Sequence, residues 1–119
     1  MRDFRELKIW QKAHQLVIDV YQQTKSFPEE ERFGLTIQLR RASASVPTNI
    51  AEGCGREGDR ELARFISIAA GSASETEYQL LLAQDLGYIS QEEYRKLQVQ
   101  VSEVKRMLTG FMKKLTPDG

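Results

Sequence analysis

The 119-residue chain has one cysteine, one histidine and one tryptophan. A lone thiol, Cys54, excludes an intramolecular disulfide and fits a reducing compartment, so a cytoplasmic location is expected. A lone histidine, His14, excludes the paired Glu-x-x-His ligand sets of diiron bundles. Nothing in the spacing sets His14 beside Cys54 as a base for a nucleophile. Net charge is also missing, with 17 basic residues against 17 acidic ones, which argues against a strongly basic nucleic-acid-binding monomer. No apolar run approaches the ~20 residues of a membrane span. The opening MRDFRELKIW lacks the apolar core of a signal peptide, so no membrane association is expected. Strand candidates, internal repeats and low-complexity segments are absent too. The length is that of one domain. Such a chain buries roughly two-thirds of its unfolded surface, enough for a modest core.

What is present is helical periodicity. It predicts a single domain over 1–119 with helices at about 4–25, 28–54, 59–86 and 91–115. In the first, Leu7, Trp10, His14, Val17 and Tyr21 recur three and four apart, and Ala13, Leu16 and Val20 widen the stripe. His14 on that stripe reads as a packed, hydrogen-bonded residue rather than a ligand. Asp3 with Glu6 suggests a capping box. Pro28 suits the first turn of the second helix, and Glu29, Glu30 and Glu31 favour the positive end of its dipole. Pro47 lies inside that helix. The apolar pattern Leu35, Leu39, Ala42, Val46, Ile50 runs through it in phase, which predicts a kink rather than a break. Ser43 and Ser45 are placed to help satisfy the loosened backbone, and Gly53, Gly55 and Gly58 to end the helix. Asp59 is the expected N-cap of the third helix, whose section 69–74 is built from small residues. Gly87 ends it. Ser90 with Glu93 makes a second capping box, and Ile89 with Tyr94 a staple. In the fourth helix Tyr94, Leu97, Val101, Val104, Leu108, Phe111 and Leu115 alternate steps of three and four. Four helices with short connections predict an all-α, antiparallel up-and-down four-helix bundle.

The chain is organised around Gln38–Gly58. Beside its apolar stripe runs a polar one, Arg41, Ser45, Asn49, Glu52 and Arg56, on one helical face. An unpaired buried polar group costs roughly 1–3 kcal/mol, so this stripe faces either an internal network or an outside partner. Glu75 joins it as a candidate. Glu52 and Glu75 near Arg40 or Arg41 suggest an internal ion-pair network; a divalent metal for hydrolysis is the less favoured alternative. Gly53–Gly58 spells GxGxxG, but the dinucleotide fingerprint needs a strand before it, and here a helix precedes it. No catalytic residue, metal, cofactor or small-molecule substrate is expected.

Charge is uneven. Residues 1–25 carry five basic and three acidic groups and residues 88–119 six and four, whereas residues 59–87 carry two and five. Lys8 and Lys12 near one terminus, and Lys105, Arg106, Lys113 and Lys114 near the other, are candidate nucleic-acid contacts. Cations late in the fourth helix are equally explained by its dipole. With helices one and four opposed in direction, the two clusters need not merge. Symmetric assembly would repeat each patch and add up phosphate contacts.

Several stretches point further. They are Leu7-Lys8-Ile9-Trp10-Gln11-Lys12-Ala13-His14, Phe33-Gly34-Leu35, Gln38-Leu39-Arg40-Arg41-Ala42, Ser45-Val46-Pro47-Thr48-Asn49-Ile50-Ala51-Glu52-Gly53, Gly55-Arg56, and Ala70-Gly71-Ser72 with Glu75. In this order, over nearly the whole chain, they closely resemble the four-helix bundle protein family, also known as the bacterial 23S ribosomal RNA intervening-sequence proteins. The resemblance implies an up-and-down bundle that assembles into a ring-like homopentamer without enzymatic activity. Some members of that family are encoded within insertions in 23S ribosomal RNA genes. The family is also similar to the accessory protein of diversity-generating retroelements, a basic pentameric barrel that engages a reverse transcriptase and nucleic acid. RNA, DNA or a nucleic-acid enzyme is therefore an expected partner beside further copies of the chain. The polar stripe is expected at subunit contacts or in the bundle's internal network. The alternative is an oligomeric scaffold or adaptor that binds protein alone.

Overall fold

The computed structural model describes residues 2–117. Four helices account for most of them: α1 (Lys8–Thr24), α2 (Leu35–Cys54), α3 (Gly58–Asp85) and α4 (Gln91–Leu115). No strand occurs among the described residues. The helices form an elongated all-α bundle of 44 × 22 × 22 Å. Each packs against two others, α1 on α2 and α4, α3 on α2 and α4, while the diagonal pairs α1/α3 and α2/α4 do not meet. Along each seam, rising residue numbers on one helix meet falling numbers on the next. On the α1/α4 seam Lys12 pairs with Glu103, Asp19 with Gln100 and Gln23 with Glu93. On the α2/α3 seam Ser45 meets Ser72, and Gly53 lies against Leu62.

The core runs the length of the bundle. Leu16, Leu39, Ile50, Ile66, Leu80 and Leu108 are each at most 1% exposed, and full burial of a side chain of this size is worth about 1.5–3 kcal/mol. All four helices contribute, and the four predicted apolar stripes supply most of these residues. The α1 stripe is shifted, however. Ile9, Ala13, Leu16 and Val20 fill the core, while Trp10 and Val17 are half-buried and His14 and Tyr21 exposed. The apolar arc of α1 is wider than one core can cover, so one edge of it stays outside. His14 is therefore not a packed residue. Its ring stacks on Trp10, with centroids 4.8 Å apart and planes 8° from parallel.

Several boundaries differ from the predicted ones. The 28–34 segment is not the start of α2: Glu29–Glu31 form a 3-10 turn after Pro28, and α2 begins at Leu35. The Glu31 carboxylate accounts for this start. It accepts the Leu35 N–H at 3.0 Å and the Tyr88 hydroxyl at 2.9 Å, so it caps the new helix and ties it to the α3–α4 connection. Likewise Phe4–Glu6 is a separate 3-10 turn before α1. Its cap Asp3 accepts from the Arg5 N–H, and no capping box with Glu6 forms. α3 starts at Gly58 with Glu57 as its cap residue, and Asp59 sits in the first turn, 3.7 Å from Arg2. Ser90 does accept the Glu93 N–H, at 3.1 Å, but the Glu93 carboxylate is turned to Gln23 of α1 instead of completing the box.

α2 is uninterrupted through Pro47. The Ser43 hydroxyl donates to the Arg40 carbonyl one turn earlier, and the Ser45 carbonyl accepts from Asn49. Gly53 does not end the helix. It lies within its last turn, where a Cβ would stand 2.9 Å from both Leu62 Cδ1 and Phe65 Cβ, so α2 and α3 approach there as only glycine permits. Gly87 closes α3 with φ +79°, and the Tyr88 N–H reaches back to the Ala83 carbonyl at 2.9 Å, the bond of a left-handed helix stop.

Candidate interaction surfaces

The polar stripe of α2 divides into three parts. In the middle, Ser45 is a shared acceptor: Asn49 Nδ2 donates to its carbonyl and hydroxyl at 2.8 and 2.9 Å, and the Ser72 hydroxyl donates to its Oγ at 2.8 Å. This half-buried knot crosses the α2/α3 seam. Toward the end of α2, Glu52 is exposed and pairs with Arg56 one turn on, at 2.8 Å. At the other end Arg41 is exposed and has no ion pair among the described residues. The expected network of Glu52 and Glu75 with Arg40 or Arg41 does not form. Arg40 instead donates to Thr24 at 2.7 Å and lies over the Tyr21 ring. Glu75 is exposed and, among the described residues, accepts only a 3.4 Å bond from Gln79. Among the described residues, no three His, Cys, Asp or Glu side chains converge as metal ligands.

Along the opposite edge of α2 lies a groove shared with α1, of about 530 Å³. Phe4, Trp10, Val17, Ala44, Pro47 and Ala51 make it largely apolar, and Glu52 stands on its rim. Spacing alone does not reveal this surface, because Trp10, His14 and Val17 of α1 belong to the same apolar stripe as the core residues. The signal was available. The α1 arc holds two stripes, and the purely aliphatic residues at 9, 13, 16 and 20 suit the crowded centre better than Trp10 and Tyr21.

The six candidate basic contacts also separate. Lys12 and Lys105 are engaged, Lys12 with Glu103 of α4 at 3.2 Å and Lys105 with Glu77 of α3 at 2.9 Å. Lys8, Arg106, Lys113 and Lys114 are exposed and have no ion pair among the described residues. The two terminal clusters meet in part, beside Asp59. Lys8 and Lys114, with Arg2, border one cleft of about 500 Å³ floored by Leu7, Met107 and Phe111. Opposed helix directions put the start of α1 beside the end of α4, which is why the clusters meet. A further cation was missed. Arg95 is exposed and lies eleven residues before Arg106, which lies seven before Lys113. These steps are close to three turns and two turns, so the three cations share one face of α4, spaced about 16 and 10 Å along it. Helical spacing applied to charge, as it was to the apolar residues, would have found it.

Several ionisable groups feel their settings, Cys54 and Glu31 among them. Burial pushes the Cys54 thiol above its usual range, so it is a packed thiol and not an activated one. The Leu35 N–H and then the Tyr88 hydroxyl hold the Glu31 carboxyl below its ordinary value.

The fold defines the class: an all-α bundle with two such faces, one apolar and grooved, one cationic. Comparison with protein families makes the class particular. The model of the 23S rRNA-intervening sequence protein family matches residues 5–110, and the chain belongs to that family. Among solved structures it is similar to a protein of unknown function from the S23 ribosomal protein family of Bacteroides thetaiotaomicron. That likeness has a TM-score of 0.82 at 24% identity and covers 88% of this chain and 98% of the other. It supports the fold alone. Comparison with curated proteins found no match. No helix among the described residues is long and apolar enough to cross a membrane.

Proposed function

We propose that the chain is a non-enzymatic bundle that assembles with further copies of itself and binds RNA, or a ribonucleoprotein partner, through the cations of α4 and of the α1/α4 cleft. The observation that carries this reading is the line Arg95, Arg106, Lys113 on the outer face of α4, exposed and without acidic partners among the described residues. Cations left in water along a helix match phosphates spaced along a backbone, and each neutralised phosphate releases counterions. One line of three is a weak site. Several copies in one assembly add their lines together, which reconciles phosphate binding with a chain of zero net charge. Membership of a family named for a ribosomal RNA insertion supports RNA as the polyanion.

A second reading, a scaffold for protein partners only, is favoured by the ion pairs that occupy Lys12 and Lys105. Fluorescence anisotropy with structured RNA and duplex DNA at low and physiological salt, with light-scattering mass on the same sample, separates the two. The RNA reading expects an oligomer whose binding falls about tenfold or more as salt rises. A stable oligomer that binds neither nucleic acid at either salt would sink it in favour of the scaffold.

A further inference from the structure

The cleft between the start of α1 and the end of α4 joins two chemistries. Its floor is apolar, made by the half-buried Leu7, Met107 and Phe111. Its border is cationic. Lys8 and Lys114 are exposed and have no ion pair among the described residues. Arg2 is the third cation, and Asp59, 3.7 Å from it, is the one acid among the described lining residues. Arg2 also lies over the Phe111 ring, 5.4 Å from its centroid. Aromatic rings and guanidinium planes are both surfaces on which unpaired bases stack.

Volume and charge together select the occupant. About 500 Å³ is the size of a small-molecule site. A phosphate backbone alone would use the cations and leave the apolar floor in water. A fatty carboxylate would use the floor and one cation, and leave the others unmatched. An unpaired nucleotide within an RNA strand uses both: its base covers the floor, and the phosphates on either side of it meet Lys8 and Lys114. A duplex cannot do this, because its bases are stacked on one another and present only their edges.

Gly110 keeps the cleft open. It lines the cleft, and a Cβ there would meet nothing within 4 Å. The fold itself does not need glycine at this position, and a helix interior favours alanine or leucine over it. What the missing side chain leaves is room over Met107, one turn earlier, toward which a side chain at 110 would lean.

We propose that this cleft takes one unpaired nucleotide of a bound RNA, its base against Met107 and Phe111 and its neighbouring phosphates at Lys8 and Lys114. This rests on the RNA reading of the proposed function and names the part of an RNA that the cleft holds.

The test compares RNA duplexes of one sequence, blunt or with a three-nucleotide 3′ overhang, by fluorescence anisotropy at low salt. With the native chain the overhang should tighten binding about tenfold. An overhang of the same length without bases keeps the phosphates, and should bind nearly as weakly as the blunt duplex. Gly110→Leu fills the cleft without changing any charge. It should lose the preference for the overhang, keep its affinity for the blunt duplex and melt no lower than the native chain. Equal affinity of the native chain for blunt and overhanging duplexes would overturn the proposal and leave phosphate binding by the α4 line standing. A full gain from the baseless overhang would also overturn it, and this arm needs no altered protein. A folded Gly110→Leu chain that retains the preference would do the same. No binding to either duplex by the native chain would overturn both this proposal and the RNA reading.

Discussion

The outer faces of α2 and α4 lie on opposite corners of the bundle and use their side chains in opposite ways. On α2 the polar groups are mostly engaged inside the chain, Ser45 with Asn49 and Ser72, Glu52 with Arg56, and apolar surface is left over beside α1. On α4 the apolar residues Leu97, Val101, Val104, Leu108 and Leu115 are buried, and charge is left over. Arg95, Arg106 and Lys113 face water. On the proposed reading, the α2 side suits an apolar partner with little charge and the α4 side a polyanion. Composition averages these into zero net charge and hides both.

The largest effect should come from reversing the α4 line. Arg106→Glu with Lys113→Glu should weaken binding to structured RNA by about tenfold or more at low salt. It should also lower the slope of log affinity against log salt by roughly 0.7–0.9 for each phosphate that is no longer neutralised. Thermal stability should stay within about 0.5 kcal/mol, as expected for exposed sites. Lys12→Ala removes a cation already paired with Glu103 and should change binding little. Equal losses in both variants, read by anisotropy titrations across salt, would erase the distinction between paired and unpaired cations.

Next in size is a change at the α2/α3 seam. Gly53→Ala puts a methyl group 2.9 Å from Phe65 Cβ, an atom fixed close to the backbone. Overpacking of this kind costs about 1–3 kcal/mol, and urea unfolding should show it. Ser45→Ala should cost about 1 kcal/mol, because it removes the acceptor that Ser72 and Asn49 share. Arg41→Ala, on the same stripe but exposed, should leave the stability of the isolated chain within about 0.5 kcal/mol. If Arg41→Ala unfolds the chain as readily as Ser45→Ala, the stripe is one structural unit and its division into a knot and a free end is wrong.

Apolar spacing made the four helices and most of the core readable from the sequence. Leu39, Val46, Ile50, Val101 and Val104 could hardly lie anywhere else once the helices are accepted. Placement of the sites was harder to read, for two physical reasons. A helix with a wide apolar arc does not say which edge its neighbours will cover: spacing puts Trp10, His14 and Tyr21 on the core stripe, whereas Trp10 is half-buried and His14 and Tyr21 are exposed. A charged residue does not say whether an opposite charge on another helix will meet it. Lys105 and Arg106 are adjacent in sequence, yet Lys105 meets Glu77 across the α3/α4 seam and Arg106 is exposed with no ion pair among the described residues. The start of α2 was misplaced for a related reason: its cap, Glu31, lies four residues before Leu35 and is held by Tyr88, 57 positions away.

That cap supplies the smallest effect, and it belongs to neither face. Glu31 accepts the Leu35 N–H and the Tyr88 hydroxyl only as a carboxylate with both oxygens free, and these two bonds lower its pKa in the folded chain. The sign follows from linkage. A carboxyl whose folded pKa is depressed contributes stability that is whole above its unfolded value, 4.5, and is lost as pH falls through the lowered folded value. The melting temperature of the native chain should therefore fall more steeply on acidification below about pH 4.5 than that of Glu31→Gln. The two curves should converge at the acid end. Tyr88→Phe should remove part of the same difference, since its hydroxyl is the second of the two donors. Because the cap touches neither the α2 groove nor the α4 cations, RNA affinity and assembly mass should be the same in Glu31→Gln as in the native chain above pH 6. Parallel melting curves from pH 6 to 3 would show that the capping bonds do not distinguish the folded chain. A change in RNA affinity would show instead that the two faces communicate through the end of the bundle.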